Sequence, residues 1–585
     1  MKKRIVAFLM TITLCIGMVG CGTQAKIEEG LASARTTKSV EKTDEPSVDP
    51  GLSQLFNWGE GETQTEVEPL ESTEGLAIDW ESGMESYGVA TDSAVAYNMV
   101  TKNSRSASEE YTEIEWNTEE YKYFAENAWK NVRNEPFSTF AADVDTASYA
   151  NLRRMLTRNQ TVPVDAVRLE EMINYFHYDY PQPKEGEPFS VTTEMAPCPW
   201  NENSQLLMVG IAAKELDTSE RPDSNLVFLI DVSGSMEGED RLGLVQRSFK
   251  LLCEELRPGD HVSIVTYASG DKVVLEGATG EDKLKICEAI EDLFASGGTN
   301  GSAGIQTAYA LAEKYYVEGG NNRVILATDG DLNIGITDEG SLTRLIQEKA
   351  KSGVYLSVLG FGWGNYSDTR MEALADNGNG NYSYIDSIAE ARKVLIEEMG
   401  STLFTVAKDV KLQVEFNPAM VKGYRLIGYE NRVMAAQDFA DDTKDGGEIG
   451  AGHQVTALFE VALKDSKQEI PEVESRYGNE DGASENQSSF ADEYLTVNVR
   501  YKEPDGDTSK LLVYPVTKAS FDEKMSENLS WAAGVAQAGM LLKKSEYAGT
   551  SNLKEVLQRM ESLSTANQDD YRKEFLYLFS RVEIQ

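Results

Sequence analysis

The chain has 585 residues, with 55 Lys and Arg against 97 Asp and Glu, giving a formal charge of −42 at pH 7. An apolar content of 41% is that of a globular protein, which excludes wholesale disorder, and the length accommodates about three or four domains. Phosphate backbones and bare anionic lipid repel such a charge, which argues against nucleic acid as a partner, while three histidines and five cysteines leave little for zinc or haem chemistry.

Lys2, Lys3 and Arg4 precede an apolar run, 5–19, that is too short for a transmembrane helix and ends in small residues. The sequence Met18-Val19-Gly20-Cys21-Gly22 resembles a bacterial lipobox. It implies that residues 1–20 are a lipoprotein signal peptide and that Cys21 carries covalent lipid. No other apolar stretch reaches the ~18 residues a span needs. The mature chain, with a charge of −45 once the three basic residues are gone, is therefore expected on the outer face of the bacterial cell membrane, held there by lipid. Cys198, Cys253 and Cys287 remain, an odd number at wide spacings. They read as buried free thiols, with a Cys253–Cys287 disulfide as the alternative.

Residues 21–125 read as an acidic, disordered tether. Between 43 and 100 there are 13 acidic residues and no Lys or Arg, so the segment repels itself and stays solvated. A small helical α+β N-terminal domain is expected over 126–205. It has strand text at Phe137-Ser138-Thr139-Phe140, helices over 150–157 and 165–176, and breaks at Pro181, Pro183 and Pro197-Cys198-Pro199. Asp143 and Asp145 read as a cap or internal polar network in preference to a metal pair.

Over 222–402 strand and helix alternate. Strands are predicted at 225–230, 261–267, 323–327, 355–360 and 382–385, and helices at 241–256, 281–293, 302–316, 341–351 and 388–399. Continuous Val/Ile/Leu strands between helices predict a doubly wound, mostly parallel α/β domain. From 403 to 585 the pattern changes to alternating strands at 410–416, 424–429, 454–461 and 494–501, followed by helices at 529–543, 552–562 and 569–579. This predicts a β-sandwich-like unit with terminal helices. The cluster Asp438, Asp441, Asp442, Asp445 and Glu448 lacks calcium-loop spacing and reads as a solvated turn.

Asp231-Val232-Ser233-Gly234-Ser235 follows the first strand of the α/β domain, and ligands of open parallel sheets bind at the carboxyl ends of strands. Thr299, in a Gly-rich loop before a helix, and Asp329, at the end of another strand, fall in the same context. Two carboxylates and three hydroxyls form an all-oxygen set that suits a hard cation, Mg²⁺ above all, with Mn²⁺ and Ca²⁺ as alternatives. Neutral hydroxyls leave the ion electron-poor, so an open position would attract an Asp or Glu from a partner protein.

These residues, DVSGSM at 231–236, Thr299 and TDG at 328–330, resemble the metal-ion-dependent adhesion site of von Willebrand factor type A domains. FSTFAADVDTASYANLRRML, VRLEEMINYFHYDYP, GYENR and GEIGAGHQVTALFE extend the resemblance to bacterial lipoproteins. In these, that domain lies between a characteristic N-terminal domain and a C-terminal domain of unknown function. The resemblance implies Asp231, Ser233, Ser235, Thr299 and Asp329 as metal ligands and protein binding as the function. A scaffold subunit of an envelope complex, using the flanking domains, is the alternative. A hydrolase is a minor one, since HExxH, GxxxxGK[ST] and GxSxG are all absent and His177, His261 and His453 fall in separate predicted domains.

Overall fold

The computed structural model describes residues 119–583 except 143–144, 216–220, 331–338, 365, 445, 473–489, 491, 505 and 507, and all of these lie in one compact unit, Tyr97–Gln585. Cys21, the acidic tether up to residue 118, Asp143 and Asp445 lie outside the described residues.

The Val/Ile/Leu runs assemble as a six-stranded sheet in the order β10 (Tyr382–Tyr384), β9 (Tyr355–Gly360), β8 (Asn321–Thr328), β5 (Ser224–Asp231), β6 (His261–Tyr267), β7 (Asp271–Thr279). All neighbours are parallel except β7, an antiparallel edge strand that sequence patterning missed because its outward residues are exposed. Alternation along β5 sends Leu226, Phe228 and Ile230 to one face. There they meet Leu244, Phe249 and Cys253 of α3 (Leu242–Glu254) and Ile286 of α4 (Lys283–Glu291). Val227 and Leu229 face the other way, toward Ile305 and Tyr309 of α5 (Gly301–Lys314), Leu342 of α6 (Glu339–Ala350) and Met371 of α7 (Asp368–Asn377). Helix α7 was not foreseen. The single helix expected over 388–399 is instead α8 (Ile388–Arg392), a π-helical turn (Lys393–Glu397) and α9 (Met399–Leu403).

The separate N- and C-terminal domains drawn from the sequence are, in the structure, one β-sandwich built from both. One sheet runs β1 (Lys130–Asn131), β12 (Val421–Ile427), β15 (Gln454–Leu463), β4 (Gln205–Ala213), β3 (Phe189–Pro197). The other runs β13 (Val433–Met434), β2 (Phe137–Ala141), β11 (Thr405–Phe416), β16 (Glu493–Lys502), β17 (Ser509–Thr517), with β14 (Gly447–Gly450) also on β11. Every pairing in the two sheets is antiparallel. The physical reason is complementarity of half-buried faces. Leu207, Val209 and Ile211 of β4 share a core with Val455, Ala457 and Phe459 of β15 and Leu412, Val414 and Phe416 of β11.

The outer face of the first sheet, with Leu206, Met208 and Leu458, is covered by helices. These are α1 (Ala147–Thr157) and α2 (Leu169–Asn174) from one end of the chain, and α10 (Glu527–Lys543), α11 (Leu553–Glu561) and α12 (Asp570–Phe579) from the other. Trp531, Phe575, Phe176 and Tyr149 interlock there at ring-centroid distances of 5.3–6.0 Å. Among the described residues no helix is long and apolar enough to cross a membrane.

Buried guanidinium groups fasten the α/β domain to this flanking body. Arg168 bonds Glu171 at 2.5 Å, Asp368 at 2.7 Å and Glu372 at 2.5 Å. Arg153 pairs with Asp386, with Glu390 at 2.9 Å, and bonds the Tyr175 hydroxyl at 2.7 Å. Arg432 reaches Asp145 at 3.1 Å and Asp376 at 2.7 Å. Asp145, which also accepts the Tyr382 N–H at 2.9 Å, is thus in a polar network, as expected. In Arg168→Ala three buried carboxylates each lose one guanidinium contact, and the unfolding free energy should fall by about 3–5 kcal/mol in chemical denaturation. Arg168→Lys, which cannot fork to several carboxylates, should recover part of that loss.

Candidate functional site at the carboxyl edge of the parallel sheet

Strand β5 is buried along its whole length and ends on Asp231, which is itself 0% exposed. The chain then turns back on that carboxylate. The Ser233 N–H donates to Asp231 Oδ1 at 2.9 Å, and the 3-10 turn Gly234–Met236 brings the Ser233 and Ser235 hydroxyls to 3.0 Å of each other. The neighbouring strand β8 contributes Thr328, whose hydroxyl donates to Asp231 Oδ2 at 3.0 Å and accepts the Gly330 N–H at 3.1 Å. Asp329 follows, also fully buried.

The loop that carries Thr299 is held against the same turn. The Gly234 N–H donates to the Gly297 carbonyl at 3.0 Å, the Gly298 N–H to Ser269 Oγ at 2.9 Å, and the Asn300 N–H to the Ala268 carbonyl at 2.6 Å. Gly297 has φ +84°, and a Cβ there would come to 2.8 Å from Ser269 Oγ, so only glycine lets the loop lie this close. Thr299 is buried just before α5 begins. The structure therefore draws Asp231, Ser233 and Ser235 into one cluster, sets Asp329 beside Asp231, and docks the Thr299 loop on the turn between them.

Burial, with the negative charge of Asp329 next, raises the Asp231 carboxyl to about 6, against the hydrogen bonds from Ser233 and Thr328 that favour its ionised form. Tyr267 is buried against the same carboxylate, and its hydroxyl is pushed well above the ordinary range by burial first and Asp231 second. Two adjacent buried carboxylates surrounded by hydroxyl oxygens are a donor set that a hard divalent cation fits. Among the described residues no three His, Cys, Asp or Glu side chains gather as a metal cluster, so an ion here would rest on hydroxyls as much as on carboxylates.

The other candidates do not join this site. Asp441 bonds its own turn at Thr443 N, 2.9 Å away, and Asp442 pairs with Arg500 at 2.9 Å. His177 lies 3.7 Å from Glu398, and His261 stacks on Tyr315. A cleft of about 250 Å³ at the sandwich edge, lined by Lys130, Phe137, Tyr424 and Met434 among others, contains none of the site residues. Sequence reasoning gave no role to Thr328 or Tyr267. Thr328 was legible as the last residue of its strand, one place before Asp329. Tyr267 gave no signal apart from ending the strand beside β5.

The comparisons with known proteins match three successive segments of the chain. The von Willebrand factor type A domain model matches residues 226–331, a second model described as von Willebrand factor matches 115–208, and one described as "Uncharacterized protein YfbK, C-terminal" matches 401–584. Protein YfbK of Escherichia coli K12 is 43% identical over 473 residues, which cover 80% of this chain and 81% of YfbK. The chain belongs to the YfbK family of von Willebrand factor type A domain proteins. Protein sll0103 of Synechocystis is 31% identical over 185 residues, 32% of this chain and 43% of that protein. A solved von Willebrand factor type A protein from Catenulispora acidiphila aligns at 15% identity and a TM-score of 0.37, over 70% of this chain and 92% of the other.

For this YfbK-family chain, Thr328→Val leaves Asp231 Oδ2 and the Gly330 N–H without their shared hydroxyl. In EDTA the variant should be destabilised by about 1–3 kcal/mol, read by urea titration, with the fold retained in circular dichroism.

Proposed function

We propose that this chain is a lipid-anchored cell-surface protein that captures a protein partner through a Mg²⁺ ion held by its von Willebrand factor type A domain. The observation that carries the reading is the gathering of Asp231, Ser233 and Ser235 at the carboxyl end of β5, with Asp329 buried beside them and the Thr299 loop docked on their turn. In this reading those five residues hold the ion, which when bound supplies Lewis acidity toward an incoming carboxylate. The chain's own part is orientation. Ser233 N–H and Thr328 fix both oxygens of Asp231, and the Gly234–Gly297 bond fixes the distance between the serine turn and the threonine loop. Three of the five donors are neutral hydroxyls, so an Asp or Glu of the partner would complete the charge balance. The function in this reading is binding, with the hydroxyls and carboxylates serving as ligands of the ion.

The test is co-precipitation of cell-surface proteins on the immobilised chain with Mg²⁺, with EDTA, and with Asp231→Ala. Partner recovery should drop at least tenfold in the last two, and equal recovery in all three overturns the reading. In parallel, Mg²⁺ at a hundred times its dissociation constant should stabilise the wild type by about 2.7 kcal/mol in thermal melts and leave Asp231→Ala unmoved.

The anchor is tested separately. Cells grown with an alkyne-tagged fatty acid should label the wild-type chain, and Cys21→Ser should abolish the label and release the protein from the membrane fraction.

A further inference from the structure

Helices α3 and α4 lie side by side on one face of the parallel sheet, running in opposite directions, and their contacts form a ladder. At one end Gln246 Nε2 donates to the carbonyls of Ile290, Glu291 and Leu293, at 3.0–3.1 Å, and so closes the C-terminal end of α4. One turn further along α3, Lys250 pairs with Glu291. At the other end Lys283 donates to the Glu254 carbonyl. Between these rungs stand Cys253 on α3, fully buried, and Cys287 on α4, half-buried and packed against the same apolar cluster. Both are free thiols, set between the same rungs of the ladder.

We propose that Cys253 and Cys287 are a redox pair that closes to a disulfide when the protein meets a thiol–disulfide exchange partner, stapling α3 to α4. The half-buried Cys287 thiolate attacks one sulfur of the incoming disulfide, releasing one thiol and forming a mixed disulfide. Cys253 then loses its proton and attacks Cys287 Sγ, releasing the second thiol. The pair gives up two electrons and two protons, and the donor disulfide leaves as two thiols. Burial raises both thiols above their ordinary values, so closure is slow, and the more accessible Cys287 is the entry point.

The position gives the staple a consequence. Helix α3 follows the turn that holds Ser233 and Ser235, and α4 precedes the loop that holds Thr299. Joining the two helices removes relative sliding between the segments that carry the hydroxyl side of the site. The inference stands on the helix ladder and the two free thiols between its rungs, whatever the site binds.

The test uses the full chain, reduced, exchanged into oxidised glutathione, alkylated and digested without reduction. Mass spectrometry should find the Cys253 and Cys287 peptides joined, with Cys198 alkylated, and the oxidised protein should melt several degrees higher than the reduced one. In Cys287→Ser, Cys253 should be recovered as a free thiol and the melt should no longer respond to oxidant. Recovery of both cysteines alkylated, or of each as its own glutathione adduct, overturns the proposal.

Discussion

The ladder between β4 and β15 is the constraint on which the rest of the structure depends. Gln454 lies opposite Ala212, and the register runs unbroken to Val461 opposite Gln205, so eight consecutive pairs join residues 242 to 256 positions apart in sequence. Closing so long a loop is entropically unfavourable, although the penalty grows only logarithmically with length. The inserted α/β domain lowers it by bringing its own ends together. The chain enters at Ser224, at the amino end of β5, and leaves at Leu403, whose carbonyl accepts from Arg323 near the amino end of β8. Once the domain has folded, strands from opposite ends of the chain are already neighbours.

That geometry also determines which edge of the sheet is left clear of chain crossings. The amino edge is occupied by the two chain crossings, so Asp231, Ser233, Ser235 and Asp329 sit on the edge away from the sandwich connections. The flanking body still reaches this rim. Glu119 accepts the Gly364 N–H at 2.9 Å and pairs with Arg154, and the Arg158 guanidinium lies 4.7 Å from the Trp363 ring centroid. Together with Arg153, Arg168 and Arg432, these contacts hold the end of the α/β domain by multidentate, water-excluded ion pairs. Such pairs favour one docking geometry more than they add stability.

The parallel sheet was legible in the sequence because both faces are covered, which makes its strands continuous apolar runs. The predicted boundaries of β6 and β9 match the structure residue for residue. Strands β3 and β17 were not foreseen: both are edge strands, largely half-buried or exposed, and neither is a continuous buried apolar run. Strand β4 is apolar throughout, yet its partner lies in a distant segment and no local pattern can name it. The acidic and hydroxyl residues of the site were legible from motif and strand-end position. The contributions of Thr328 and Tyr267 depend on which strands are neighbours, and that is tertiary information.

Because both covalent connections of the α/β domain leave from its amino edge, a load applied at the carboxyl edge travels down the strands and divides between two chain crossings. Parallel strands pulled along their length must break many hydrogen bonds together, whereas strands peeled from one end break them singly. A handle placed opposite a double attachment is the arrangement that lets a protein remain folded while something tugs on it.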